Sequence, residues 1–196
     1  IKKRFSLKDI GDRISYDERI AFLNENGIQC MGTLVGVPPW QNSVAGSKNA
    51  HQEYPKDLEA WEAAIEKIVT HYKGRIPYYE IWNEAGWWDG LNIGKTYKDY
   101  AALVQMAINA IRRADPDAKI VYQVYYYSHG EKPGADDAEL EKKIVQQVDV
   151  VAIHAYLRDL PMDESKMEDR LKDVCDKFLD YGNKNVKIWI TEGCVN

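Results

Sequence analysis

Two stretches of this chain run apolar residues into a glutamate. Pro77 to Gly90 reads Pro-Tyr-Tyr-Glu-Ile-Trp-Asn-Glu-Ala-Gly-Trp-Trp-Asp-Gly, and Val186 to Gly193 reads Val-Lys-Ile-Trp-Ile-Thr-Glu-Gly. The aromatic and β-branched residues before Glu84 and before Glu192 have the composition of short buried strands. Each carboxyl therefore stands where a strand gives way to a loop, the end at which parallel α/β folds keep their chemistry. Two strands ending alike can supply a carboxylate pair, and such a pair can divide acid and base work between its members. Strand alternation puts Glu80, Trp82 and Glu84 on one face and Tyr79 and Ile81 on the other. The plain alternative is that Glu84 is a solvated loop residue, since the same Asn-Glu pair recurs at Asn24-Glu25 inside an amphipathic helix.

The elements that must position these groups alternate along the chain. Ser15 followed by Glu18 is a capping-box signature, and Tyr16, Ile20 and Leu23 fall on one face of the helix it starts, which Asn26-Gly27 ends. Ile28 to Val35 reads as the first strand. It runs into Pro38-Pro39, which leaves Trp40 at the strand's C-terminal mouth. Lys56 to Lys73 carries Leu58, Trp61, Ile65, Ile68, Val69 and Tyr72 at helical spacing, so Trp61 is expected in the core. After the strand ending near Glu84, a helix is expected from Tyr97 to Ala114, a strand from Lys119 to Tyr125 and a shorter helix near Asp136 to Gln147. Val148 to Ile153 reads as a fourth strand with His154 and Tyr156 at its end, followed by a helix from Asp163 to Tyr181 and the strand from Val186 to Thr191. This alternation predicts a parallel α/β domain.

Composition excludes several classes. The 196 residues are 45% hydrophobic with a net charge of −5 from interspersed acids and bases, which suggests neither a nucleic-acid footprint nor a membrane surface. No window reaches the apolar length of a membrane span. The four histidines, His51, His71, His129 and His154, lack metal-site spacing, and the three cysteines, Cys30, Cys175 and Cys194, form neither a paired motif nor a disulfide framework. No metal and no cofactor is expected. No Gly-rich phosphate loop or nucleophile elbow points to another α/β enzyme.

Trp82-Asn83-Glu84, Ile190-Thr191-Glu192-Gly193, Ile153-His154-Ala155-Tyr156 and the Leu34 to Trp40 segment together resemble the retaining glycoside hydrolases of clan A, closest to the family 39 type. The similarity runs from about Ser15 to Gly193. In that clan the acid/base glutamate follows barrel strand four and the nucleophile follows strand seven, and the strand count above sets Glu84 and Glu192 three strands apart. The resemblance implies a (β/α)8 TIM barrel, here incomplete, with strands three to seven readable. A full barrel of this type takes roughly 250 residues. The expectation is a single domain over residues 1–196, a fragment lacking the first two strands and the last, with another chain or segment completing the wall.

The resemblance also implies roles. Glu192 would attack the anomeric carbon and Glu84 would protonate the leaving oxygen, the two carboxyls standing about 5 to 5.5 Å apart. Asn83 would bind the sugar 2-hydroxyl, and His154 and Tyr156 would face the nucleophile. Trp40, Trp87 and Trp88 would offer flat apolar surface to sugar rings. The partner is a carbohydrate, and that substrate class favours an extracellular setting. Against each stands a plainer reading: Asn83 capping the strand end, His154 a satisfied core imidazole, Trp87 and Trp88 packing their loop. The chain departs from the family at Ala85, where proline is common, and it supplies no tryptophan from an eighth strand. Glu80 is expected to point inward and to need a cationic or hydrogen-bonding partner. A rival class is a non-catalytic carbohydrate-binding or degenerate barrel piece.

Overall fold

The structure, a computed structural model, describes residues 15–37, 54–85, 96–125, 134–157, 164–181 and 183–195. Helices and strands alternate as α1 (Tyr16–Glu25), β1 (Met31–Leu34), α2 (Leu58–His71), β2 (Tyr78–Ile81), α3 (Tyr97–Ala114), β3 (Lys119–Gln123), α4 (Ala135–Val145), β4 (Val150–Leu157), α5 (Glu164–Asp180) and β5 (Lys187–Val195). The strands pair in chain order, β1-β2-β3-β4-β5, and every pairing is parallel. Each step from one strand to the next crosses over through a helix, which is what parallel neighbours require.

Period-2 alternation sorts the strand residues onto two faces. Tyr79, Ile81, Ile120, Tyr122, Val151 and Ile153 are fully buried on the helix side, in the main core with Trp61, Ile65 and Val69 of α2 and the apolar stripe of α3. Met31, Tyr78, Val121, Val150, Ala152 and Trp189 form a separate cluster on the opposite face. There the rings of Tyr78 and Trp189 lie 4.9 Å apart, although three strand spacings, about 14 Å in a flat sheet, separate β2 from β5. The sheet must therefore curl around this second cluster. The result is part of the wall of a (β/α)8 barrel, with helices outside, a small apolar cluster in the lumen, and β1 and β5 as the end strands among the described residues.

Local signals act as expected at the helix starts. Ser15 and Glu18 close a reciprocal capping box on α1, Gly27 takes a left-handed φ of 70° after it, and Asp57 accepts the Ala60 N–H at the start of α2. Three expectations fail on burial. Tyr16 is 74% exposed rather than on the inner face of α1, Ile68 is 41% exposed on α2, and β1 is shorter than Ile28 to Val35, whose end residues are 49% and 41% exposed. β4 and β5 run on together beyond Ile153 and Thr191, past the point where the apolar runs suggested an end.

The shared face of Glu80, Trp82 and Glu84 also needs correction. Trp82 takes φ of 68° and Glu84 φ of 48°, so alternation ends with β2. Trp82 turns to the helix side, fully buried, with its ring 6.2 Å from that of Trp61. Glu80 stays on the lumen face, opposite Thr33 of β1.

Candidate active site

Glu84 is carried by a strained turn. Left-handed backbone at a non-glycine residue costs about 1–3 kcal/mol and survives only where the surroundings fix it. Here Trp82 donates its N–H to Leu34 O at 3.0 Å, its ring is locked against Trp61, and the Glu84 N–H donates to Gln123 Oε1 on β3. The turn thus redirects the chain twice in three residues and returns the Glu84 side chain to the lumen mouth.

Glu192 reaches the same place by a different device. The β4–β5 register steps from Ile153↔Ile190 to His154↔Glu192, leaving Thr191 as an extra residue on β5. A bulge of this kind re-aims the side chain that follows it. Without it Glu192 would fall on the opposite face from Trp189 and Thr191; with it, Glu192 stands beside His154.

His154 joins the two. Its Nδ1 lies 2.9 Å from Glu84 Oε1 and 3.3 Å from Glu192 Oε2, and the exposures of the three side chains are 7%, 25% and 49% in the order His154, Glu84, Glu192. One polar atom from each of the three groups lies within 4.8 Å of the other two. His154 Nε2 meets Gln123 Nε2 at 2.8 Å. The nearly buried imidazole and the two more accessible carboxyls form one cluster, drawn from β4, the end of β2 and β5. By residue type this is also the set among the described residues whose donor atoms converge enough for a divalent cation.

Glu80 lies deeper, 4% exposed, and accepts from Thr33 Oγ1 at 3.1 Å. Its Oε1 and Thr191 Oγ1 are both buried without a hydrogen-bond partner among the described residues. Burial pushes the Glu80 carboxyl above the usual carboxylate range; the nearby Thr191 and Thr33 hydroxyls and the His154 ring act in the opposite sense, and the Glu192 charge adds to the rise. The partner expected for Glu80 is thus in part a threonine hydroxyl.

Of the residues singled out in the sequence, the structure brings Glu84, Glu192 and His154 together and places Asn83, half-buried, beside Glu84. Tyr156 follows on β4 in register with Cys194, but its side chain lies outside the described residues, as do Trp40, Trp87 and Trp88 entirely. Gln123 and Thr33 had not been singled out. Gln123 ends its strand on the parity of Val121, so the alternation argument applied to Glu80 would have found it.

The chain matches the cellulase family, glycosyl hydrolase family 5, over residues 14–195. Endo-1,4-beta-xylanase A of Thermotoga maritima is 34% identical in an alignment of 124 residues that covers 56% of this chain and 11% of that protein. Among solved structures, native xylanase 10B from Thermotoga maritima superposes with a TM-score of 0.58 at 25% identity, covering 92% of this chain and 56% of that one. A family 39 glycoside hydrolase from the gut symbiont Bacteroides cellulosilyticus WH2 gives 0.63 at 17% identity, covering 93% and 40%, a likeness of fold. The chain therefore spans about a tenth of the curated relative and roughly half of these two structures. These matches support clan A, the broader part of the resemblance read from the motifs.

Proposed function

This chain belongs to the cellulase family, glycosyl hydrolase family 5, and from that premise we propose that it carries the catalytic pair of a retaining hydrolase of β-linked glycans. Glu192 is the nucleophile and Glu84 the acid/base. The observation that carries the reading is the convergence of the two carboxyls on one His154 nitrogen, with oxygens of both within 4.8 Å. That is close to the about 5–5.5 Å of retaining pairs and short of the about 6.5–9.5 Å that an inverting enzyme needs for its water.

In the first step the Glu192 carboxylate attacks the anomeric carbon while the bond to the leaving oxygen breaks and Glu84 gives that oxygen its proton. In the second, Glu84 takes a proton from water, whose oxygen attacks the anomeric carbon and frees Glu192. Asn83 is proposed to bind the 2-hydroxyl and Tyr156 to face the nucleophile. Trp40 and one or both of Trp87 and Trp88 are proposed to line the cleft. The family 39 likeness of the local motifs belongs to this proposal, as does a further segment or chain pairing with β1 and β5 to complete the barrel. The substrate class is a β-1,4-linked glycan, with xylan the first choice because the curated relative is named as a xylanase.

The test is hydrolysis of an activated aryl β-xyloside and of xylan by the protein and by Glu192→Ala, with the anomeric form of the first product followed by NMR. Turnover with retained configuration that Glu192→Ala abolishes is expected. An inverted product overturns the mechanism, and glycan binding without turnover would make the chain a carbohydrate-binding piece.

A further inference from the structure

We infer that Gln123 is a positioning residue that fixes the tautomer of His154, so that one Nδ1–H is presented to both the Glu84 and the Glu192 carboxyls. The catalytic consequence rests on the reading above; the proton assignment does not.

Gln123 is 2% exposed at the end of β3. Its Oε1 accepts the Glu84 backbone N–H, and a backbone N–H can only donate, so the amide cannot be flipped. The Gln123 NH₂ group, which can donate but not accept, therefore faces His154 Nε2 at 2.8 Å. Nε2 must accept, and an accepting ring nitrogen is a bare one. A neutral imidazole bare at Nε2 carries its hydrogen on Nδ1.

The other side of the ring agrees independently. Nδ1 faces Glu84 Oε1 at 2.9 Å and Glu192 Oε2 at 3.3 Å, two acceptors that call for a donor. Glu80 of β2 acts on the same cluster from below. A doubly protonated ring would set Nε2–H against the Gln123 NH₂, donor against donor.

Three consequences follow for the site. One N–H serves whichever carboxyl is charged: Glu192 before it attacks, and Glu84 once Glu192 is esterified by sugar. The same Gln123 side chain holds the Glu84 backbone and the ring that meets the Glu84 carboxyl, so loop position and ring orientation are set together. A protonated Nδ1 also removes that nitrogen from service as a metal ligand.

The test reads the tautomer directly. In the ¹⁵N-labelled protein, ring ¹⁵N–¹H correlation spectra assigned by the loss of signals in His154→Gln are expected to show His154 protonated at Nδ1 and bare at Nε2. Gln123→Glu keeps an acceptor for the Glu84 N–H but offers no donor to Nε2, so a hydrogen is expected to appear on Nε2. Activity should fall on the order of 10- to 100-fold through kcat, the size of effect that small misplacements of reacting groups produce. Should Gln123→Glu fail to fold, Gln123→Met is expected to give a mixture of tautomers. An Nε2–H ring in the unaltered protein, or an unchanged Nδ1–H pattern in a folded Gln123 variant, overturns the inference. The expected tautomers in a protein that hydrolyses no glycan would uphold it and overturn the hydrolase reading.

Discussion

Tyr78 and Trp189 touch across the lumen, ring centroids 4.9 Å apart, although β3 and β4 lie between their strands. Glu84 lies beyond the end of Tyr78's strand, and Glu192 lies on Trp189's strand. The curl that brings the rings together is therefore the same curl that brings the carboxyls together. Trp189→Ala should destabilise the protein by about 3–5 kcal/mol, as removal of a packed aromatic does. It should also lower turnover in molecules that remain folded. Denaturant unfolding and activity below the transition check the two effects; full activity with the expected loss of stability would separate the lumen cluster from the site.

Removing the acid should depend on the leaving group. Glu84→Ala takes away general acid catalysis, worth on the order of 10²–10⁴-fold. Aryl glycosides with good leaving groups need little proton donation to be attacked by Glu192. The variant is expected to lose that factor on xylan and to keep glycosylation of a dinitrophenyl glycoside. Equal losses on both substrates would remove Glu84 from the acid role.

How much of this was legible in the sequence follows from what each device depends on. Element order, the capping box at Ser15 and Glu18, the core position of Trp61 and the strand count between the two glutamates rest on local periodicity, and they appear where periodicity puts them. The facing of the site residues does not rest on periodicity. Glu84 reaches the lumen through two left-handed residues and Glu192 through a bulge at Thr191, and no glycine marks either place. Tyr16 is exposed despite its helical spacing, which identifies a face without showing whether anything covers it. Glu141, which has no exposed surface, accepts from the Tyr122 and Tyr181 hydroxyls and pairs with Lys177 Nζ at 2.6 Å. A glutamate in a polar stretch gives no sign of such a cluster until three separate elements meet.

Asp149 should make the barrel wall sensitive to acid. Its carboxylate accepts the Ile120 N–H at 2.9 Å and pairs with Arg112 at 3.0 Å and Lys119 at 3.4 Å, tying the turn before β4 to the start of β3. Burial alone would raise its pKa; the Ile120 N–H and the Arg112 and Lys119 charges outweigh that and hold it below the usual range. A depressed folded pKa gives stability that is present above the unfolded value, 3.8, and lost as pH falls through the folded one. Asp149→Asn should cost about 1–3 kcal/mol at pH 7, the scale of hydrogen bonds to a charged group, and less below pH 3.8. A cost that does not shrink in acid would show that packing, and not charge, is what Asp149 supplies.

Glu80 should act in the opposite sense. It is a lumen carboxyl under the Glu84, His154 and Glu192 cluster, and burial is the main cause of its raised pKa. A raised folded pKa means that the folded protein binds the proton more tightly than the unfolded chain does. The stability this contributes is fully present below the unfolded value, 4.5, and is lost as pH rises through the folded value. Glu80→Gln keeps an oxygen for the Thr33 hydroxyl and cannot ionise. It is therefore expected to match the unaltered protein near pH 4 and to be the more stable of the two at pH 8, the gap widening as pH rises. Paired urea titrations across pH 4 to 8 decide it: a gap that stays flat, or closes as pH rises, would mean that Glu80 is ionised in the folded protein with a partner that stabilises its charge.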